Sequence, residues 1–154
     1  MSGGTVLGFD VGSRRIGVAV GNGLTASARE LCVVDVREGV PDWSRIEASI
    51  REWRPEALVV GDPRTLDDEE GQQPARRRAQ RFARELQARS GLPTWLVDER
   101  SSSMEAARRF AAGRAAGTRR RSQAQNLDAL AAVVIVERWF EAPGDAQRAP
   151  SPEG

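Results

Sequence analysis

The chain has 154 residues, enough for one domain with a buried core, and a formal net charge of only +1 although 29% of its residues are charged. It contains no histidine, lysine or tyrosine, so all 23 basic residues are arginine, and Cys32 is its one cysteine. These absences exclude Ser-His-Asp and Cys-His nucleophiles, histidine or cysteine zinc sites, Schiff-base lysines and the P-loop lysine. The remaining carboxylate, hydroxyl, amide and guanidinium groups suit hard cations such as magnesium or manganese.

The sequence predicts a cytoplasmic protein without membrane association. A single cysteine in an apolar run argues against a disulfide framework. The polar N-terminus lacks the apolar stretch of a signal peptide, and no run approaches the ~20 apolar residues of a membrane helix.

The first part of the chain predicts three antiparallel strands. An apolar strand runs from Thr5 to Asp10, and a glycine-containing turn separates it from a second strand over 15–21. A third segment, around 29–36, is rich in β-branched residues, which favour extended structure. No spacer between these segments is long enough for a helix, so they form an antiparallel meander.

The rest of the chain predicts helices that alternate with strands. Helices are expected between Pro41 and Pro55 and over about 75–90, 102–112 and 123–140, and strands over 57–61 and 92–97. The predicted fold is an α/β mixed sheet in which three antiparallel strands are extended by two parallel strands, with helices on both faces. Residues 62–74 are expected to form a mobile surface loop, and 142–154 a disordered tail after a folded domain over 1–141.

Acids lie at the ends of predicted strands and near the start of the last helix. They are Asp10, Asp98, Glu99 and Asp128. In open sheets with parallel strands, ligands bind beyond the carboxyl ends of the strands. Side chains alternate along a strand, so we expect only one of Asp98 and Glu99 to enter such a site. Clustered carboxylates repel one another unless divalent cations neutralise them, and two such ions ~4 Å apart can hydrolyse a phosphodiester without imidazole.

Each acid also has an ordinary structural interpretation, which spacing alone leaves open. Asp10 could be a turn aspartate that accepts hydrogen bonds from the following amides. Asp98 could be an exposed residue ahead of a helix cap, and Glu99 an ion-pair partner of Arg100. Asp128 could simply be an acid favoured by the dipole at a helix N-terminus.

Arginine clusters and glycines add two further expectations. Arg119–Arg121, in a glycine-flanked loop before the last helix, are predicted to grip a phosphate backbone. The arginines between positions 76 and 84 are most simply a solvated helix surface. Gly12 and Gly17 are expected to serve backbone geometry and close packing.

Four ordered motifs resemble the YqgF (RuvX-like) family over roughly Val6 to Phe140. They are Gly8-Phe-Asp-Val-Gly with Arg15-Ile-Gly-Val-Ala, Val59-Val-Gly-Asp-Pro63, Val97-Asp-Glu-Arg-Ser-Ser-Ser103 with Glu105-Ala106, and Leu127-Asp-Ala-Leu-Ala-Ala132. The resemblance implies a ribonuclease-H-like fold related to Holliday-junction resolvases, and activity as a pre-16S rRNA nuclease. Two positions depart from the family pattern. Asp62 replaces a usually apolar residue, and we expect it to be a polar loop residue rather than a fourth ligand; residues 67–71 replace an Asp-Gly turn.

The resemblance also implies which residues form the site. Asp10, Glu99 and Asp128 match the family's catalytic acids and would bind two Mg²⁺ or Mn²⁺ ions, with Asp98 as a further candidate ligand. Nucleic-acid contacts are expected from six arginines, namely Arg14, Arg15, Arg100, Arg119, Arg120 and Arg121.

We therefore predict a metal-dependent nuclease that hydrolyses RNA during maturation of precursor 16S rRNA, as a monomer or homodimer. A first alternative is resolution of branched DNA, which needs a dimer to place paired cuts. A second is a non-catalytic module that binds RNA or the transcription apparatus. A third, an actin-like or sugar-kinase-like ATPase, needs two domains that close over the nucleotide, whereas this chain has room for one.

Overall fold

A mixed sheet of seven strands, in the order β4-β3-β2-β1-β5-β6-β7, organises the computed structural model, which describes residues 4–64, 73–98 and 124–150. The strands are β1 (Thr5–Val11), β2 (Arg15–Asn22), β3 (Ser27–Arg37), β4 (Val40–Pro41), β5 (Ala57–Asp62), β6 (Thr94–Asp98) and β7 (Gln147–Arg148). The helices are α1 (Trp43–Trp53), α2 (Pro74–Ser90) and α3 (Ala124–Glu141), and a 3-10 turn covers Pro143–Asp145.

The centre of the sheet has the predicted topology. β1, β2 and β3 pair antiparallel, and β5 and β6 add to β1 in parallel. β5 is buried along its whole length, as expected of a parallel strand covered on both faces. The predicted mixed α/β fold is therefore confirmed, whereas the short edge strands β4 and β7 were not predicted. The helix predicted over 102–112 lies outside the described residues.

Side-chain alternation along β1 divides the core between the two faces of the sheet. Leu7 and Phe9 pack with residues of α1 and α2 such as Phe82. Val6 packs on the other face, in a cluster with Ile135 of α3. Among the described helices none is long and apolar enough to cross a membrane.

Glycines on β1 and β2 allow α3 to approach the sheet closely. A Cβ atom on Gly8 would overlap the side chain of Val136, and one on Gly21 would lie 2.5 Å from the same residue. A Cβ on Gly17 would overlap the backbone carbonyl of Asp128. The expectation that Gly17 serves close packing is thus confirmed, and its partner is the α3 backbone.

The C-terminal segment corrects one prediction. The predicted disorder of the tail is wrong for residues 142–150, because β7, which lies in this segment, pairs antiparallel with the edge of β6. Ala149 is only 3% exposed, and its N–H donates to the Thr94 carbonyl at 2.8 Å. The carbonyl of Ala149 accepts a hydrogen bond from the Gln87 side chain at 3.1 Å. This segment is held mainly by backbone hydrogen bonds. Such bonds do not require a periodic pattern of apolar residues, so the sequence contains no sign of this strand. Residues 151–154 lie outside the described ranges.

Candidate active site

Asp10 lies near the carboxyl end of β1, directly opposite Gly17 of β2. By alternation its side chain shares the α3 face of the sheet with Val6 and Gly8. Burial, and to a smaller extent the negative charge of Asp128, raises the pKa of Asp10 from 3.8 to about 7. A nearby cation would strongly stabilise the charged form of a carboxyl group that is buried beside another acid.

Asp128 reaches Asp10 from the N-terminal part of α3. The helix can cross β2 here because Gly17 carries no side chain that would meet the Asp128 backbone. Because Asp10 pairs with Gly17 and the Asp128 backbone lies against the same glycine, the two acids share one region of the molecule. The structure therefore brings together two of the three acids that the sequence analysis placed in the site.

The arginines of the β1–β2 turn have different positions. Arg15, the first residue of β2, directs its Nε to Oδ2 of Asp128 at 2.7 Å, and both side chains are partly exposed. In this structure Arg15 thus neutralises a site carboxylate. Arg14 is exposed in the turn, and its carbonyl accepts a hydrogen bond from the N–H of Val36 at 2.9 Å.

Asp98, the last residue of β6, belongs to the other face of the sheet. Leu96 packs in the core beneath α2, whereas Val97 packs with Ile135 of α3. Because side chains alternate along a strand, Asp98 lies on the same face as Leu96, which is the α2 face and not the face of Asp10. Its backbone carbonyl accepts a hydrogen bond from Nη1 of Arg138 at 3.4 Å. The structure gives no support to Asp98 as a ligand beside Asp10.

The remaining predicted site residues lie outside the described residues. They are Glu99, Arg100, Arg119, Arg120 and Arg121. Within residues 4–64, 73–98 and 124–150 no three side chains of Asp, Glu, His or Cys form a group that could hold a metal ion. The described part of the site is an acidic pair with one arginine.

Asp62 forms an ion cluster that the sequence analysis missed. It ends β5, is 0% exposed, and accepts from Nε of Arg64 at 3.0 Å. Arg76 of α2 donates to both carboxylate oxygens, with Nε at 2.9 Å from Oδ1 and Nη2 at 3.1 Å from Oδ2. The expectation of a polar loop residue is wrong, and so is the assignment of Arg76 to a solvated surface, since its side chain is 13% exposed. The only sequence signal was an acid directly after a wholly apolar strand, where burial requires a cationic partner.

Comparison with known proteins identifies the family. Residues 4–142 match the RuvX family, whose description is Holliday junction resolvase. The chain belongs to the RuvX family.

Curated relatives of this RuvX chain align along almost its whole length. A protein of Xanthomonas oryzae pv. oryzae (strain PXO99A) is 60% identical over 147 residues, which cover 96% of this chain and 94% of the relative. A protein of Xanthomonas axonopodis pv. citri (strain 306) is 59% identical with the same coverage. Both carry the name "Putative pre-16S rRNA nuclease".

Solved structures support the fold of this RuvX chain. Thermus thermophilus RuvC in complex with a Holliday junction substrate superposes with a TM-score of 0.58 at 20% identity, and a second RuvC structure from that organism with 0.55 at 21%. Both alignments cover 94% of this chain and 99% of RuvC. At this identity the likeness shows the fold alone, and it confirms the predicted ribonuclease-H-like architecture.

Proposed function

We propose that this RuvX chain is a metal-dependent nuclease that hydrolyses phosphodiester bonds of RNA in the maturation of precursor 16S rRNA. The observation that carries the proposal is the Asp10–Asp128 pair at the end of β1, where burial and, to a smaller extent, a like charge raise the pKa of Asp10 to about 7. The names of the Xanthomonas relatives support precursor rRNA as the substrate. That substrate would place the activity in the cytoplasm.

The donor set of the site fits a hard divalent cation. Asp10 and Asp128 offer carboxylate oxygens, and their mutual repulsion would be relieved by positive charge between them. We propose Asp10, Asp128 and Glu99 as the ligands of two Mg²⁺ or Mn²⁺ ions. When bound, such ions supply Lewis acidity toward the scissile phosphate and lower the pKa of water.

The described side chains have distinct tasks in this proposal. Asp10 sits on a strand inside the sheet, and the burial that disfavours its charged form strengthens its attraction to a cation. The Nε atom of Arg15 donates to one carboxylate oxygen of Asp128 and so balances part of the negative charge of the acidic pair. Because Arg15 is partly exposed, it is also placed to attract the phosphate of an incoming strand.

The test is cleavage of labelled precursor 16S rRNA by the full-length protein, with and without Mn²⁺. We expect metal-dependent cleavage by the wild type and none by Asp10→Asn, while Glu52→Gln, which changes an exposed acid on α1, behaves as the wild type. Cleavage retained by Asp10→Asn would refute the site.

A second candidate is the resolution of four-way DNA junctions by the same site. The description of the RuvX family and the fold likeness to RuvC favour it. Junction resolution needs two copies of the site for paired cuts. Faster and symmetric cleavage of a labelled junction, relative to precursor rRNA, would select this function. Binding of both substrates without cleavage across a metal series would instead indicate a non-catalytic module.

A further inference from the structure

A groove of about 510 Å³ lies on the α2 face of the sheet at the β1–β2 turn, and its lining includes neither Asp10 nor Asp128, which belong to the α3 face. One wall is the β1–β2 turn at Gly12 and Ser13, and the opposite wall is a basic side of α2. Gly12 is two residues after Asp10, so the backbone between them spans at most about 7 Å. A strand that lies in the groove would reach Asp10, on the other face of the sheet, by passing over this short turn.

The α2 wall of the groove is rich in positive charge. It presents Arg77, Arg78 and Arg81 and one acid, Glu85. Neither Arg78 nor Arg81 forms an ion pair with any residue of the described part of the chain. The two guanidinium groups are thus available to an external anion.

The start of α2 strengthens this preference for an anion. Its first turn has no acidic residue, and the side chain of the N-cap residue Gln73 makes no capping hydrogen bond. The helix dipole is positive at this end, so arginines here are unfavourable for the helix itself. Asp62 compensates Arg76, but no described carboxylate does the same for Arg78.

The floor of the groove favours a nucleic-acid backbone over stacked bases. It includes Trp43 and Phe82, whose rings stack at 5.3 Å between centroids and are 9% and 4% exposed. Rings this deeply buried offer apolar contact but little free face for a base. The features that distinguish the groove are therefore its cationic groups, which suit phosphates.

We propose that this groove binds the sugar–phosphate backbone of the RNA strand whose scissile phosphate lies at Asp10, with Arg77, Arg78 and Arg81 contacting successive phosphates. The inference rests on the nuclease function proposed above and adds to it the path of the substrate. An RNA strand is favoured over an acidic peptide because only the turn at Gly12 and Ser13 separates the groove from a site proposed for phosphodiester chemistry.

The test is fluorescence anisotropy with a labelled single-stranded RNA from precursor 16S rRNA, in EDTA and over a series of NaCl concentrations. The variant is Arg78→Gln/Arg81→Gln in the full-length protein. Its control is Arg51→Gln/Arg84→Gln, which removes the same charge at exposed positions outside the groove lining. Thermal melts of both variants establish that they are folded.

We expect the groove variant to lose at least about tenfold in affinity at 0.1 M NaCl, and its slope of log K against log salt to become shallower by about 1.4, the value for two lost phosphate contacts. The control is expected to stay within about twofold of the wild type. Equal losses in both variants would overturn the proposal. Poly-glutamate that binds the wild type as tightly as RNA, with the same loss in the groove variant, would overturn it in favour of an acidic peptide.

Cleavage assays separate this proposal from the proposed function. A wild type that cleaves precursor rRNA, with a groove variant that binds and cleaves like the control, refutes the groove and leaves the nuclease. A wild type that cleaves neither RNA nor junctions, yet binds RNA through Arg78 and Arg81, refutes the nuclease and supports the groove.

Discussion

The Nε atom of Arg15 lies 2.7 Å from Oδ2 of Asp128, so the acid that helps to raise the pKa of Asp10 is itself paired with a cation of the chain. Arg15 and a divalent ion would thus compete for the same carboxylate. The strength of the ion pair would therefore influence how readily the proposed site takes up metal.

Replacement of Arg15 is expected to tighten metal binding. Arg15→Gln removes the competing charge and leaves the site more negative, so the Mn²⁺ affinity should rise by a few-fold to about tenfold. Isothermal titration with Mn²⁺ measures this, with Arg14→Gln in the exposed turn as the matched control. Weaker binding by Arg15→Gln would show instead that the arginine is needed to hold Asp128 in position.

The stability of the metal-free protein should fall as pH rises from about 4 to about 7. In this range the folded chain keeps a proton on Asp10, whose pKa is raised to about 7, while the unfolded chain, with an ordinary pKa of 3.8, has released it. Urea unfolding in EDTA should show the decline for the wild type but not for Asp10→Asn. At pH 8 the variant should be more stable by roughly 2–4 kcal/mol. If the difference in free energy of unfolding between the wild type and Asp10→Asn does not change between about pH 4 and about pH 7, the raised pKa of Asp10 is contradicted.

Gly17→Ala should disturb both the fold and the site. The added Cβ would meet the Asp128 carbonyl and lie 2.7 Å from the Ala129 nitrogen, and these backbone atoms cannot rotate away. We expect a loss of about 1–3 kcal/mol in the free energy of unfolding, and weaker Mn²⁺ binding because α3 must shift. Gly144→Ala, at a position with open space around the Cβ, is the control for both measurements. Unchanged metal affinity in a destabilised Gly17→Ala would disprove the coupling.

Asp62→Asn should destabilise the protein without affecting the metal site. Loss of the buried charge removes the carboxylate that Arg64 and Arg76 share, at a cost of about 3 kcal/mol. Asp62 shares its face of the sheet with α2, so the Mn²⁺ affinity of the folded variant should remain within about twofold of the wild type. Glu85→Gln, which breaks an exposed pair with Arg89, should cost well under 1 kcal/mol. A large loss of Mn²⁺ affinity in Asp62→Asn would make Asp62 a ligand after all.

Removal of residues 147–154 should lower the free energy of unfolding by about 2 kcal/mol. The deletion takes away β7, the buried Ala149 and its hydrogen bonds to Thr94 and Gln87. Removal of 151–154 alone serves as the control. Equal stability of the two truncated proteins, measured by urea unfolding, would argue that β7 contributes nothing.

The sequence was sufficient to predict the topology of the central sheet. Short connections among the first three strands and helix-length connections to β5 and β6 specify which pairs are antiparallel and which are parallel. The acid at the end of β1 was also evident, because a carboxylate after an apolar strand needs a cationic partner.

The parts that could not be predicted depend on pairings between distant residues. The Asp62–Arg76 ion pair joins residues that seemed to belong to a surface loop and a solvated helix. The approach of Asp128 to Asp10 depends on Gly17, and no periodic pattern records that a glycine on one strand faces the backbone of a helix more than a hundred residues later. Likewise β7 is held by backbone atoms, which every sequence has.

The closeness of Asp10 to Asp128 has a consequence for biosynthesis. A growing polypeptide that has emerged only as far as α2 carries Asp10 and the groove arginines but lacks the helix that supplies Asp128 and Gly17's packing partner. Asp10 without Asp128 would bind divalent ions weakly. An incomplete chain on the ribosome should therefore have no competent hydrolytic centre. On the proposed function, the order of synthesis would thus keep this RuvX protein from cleaving RNA before its fold is nearly complete.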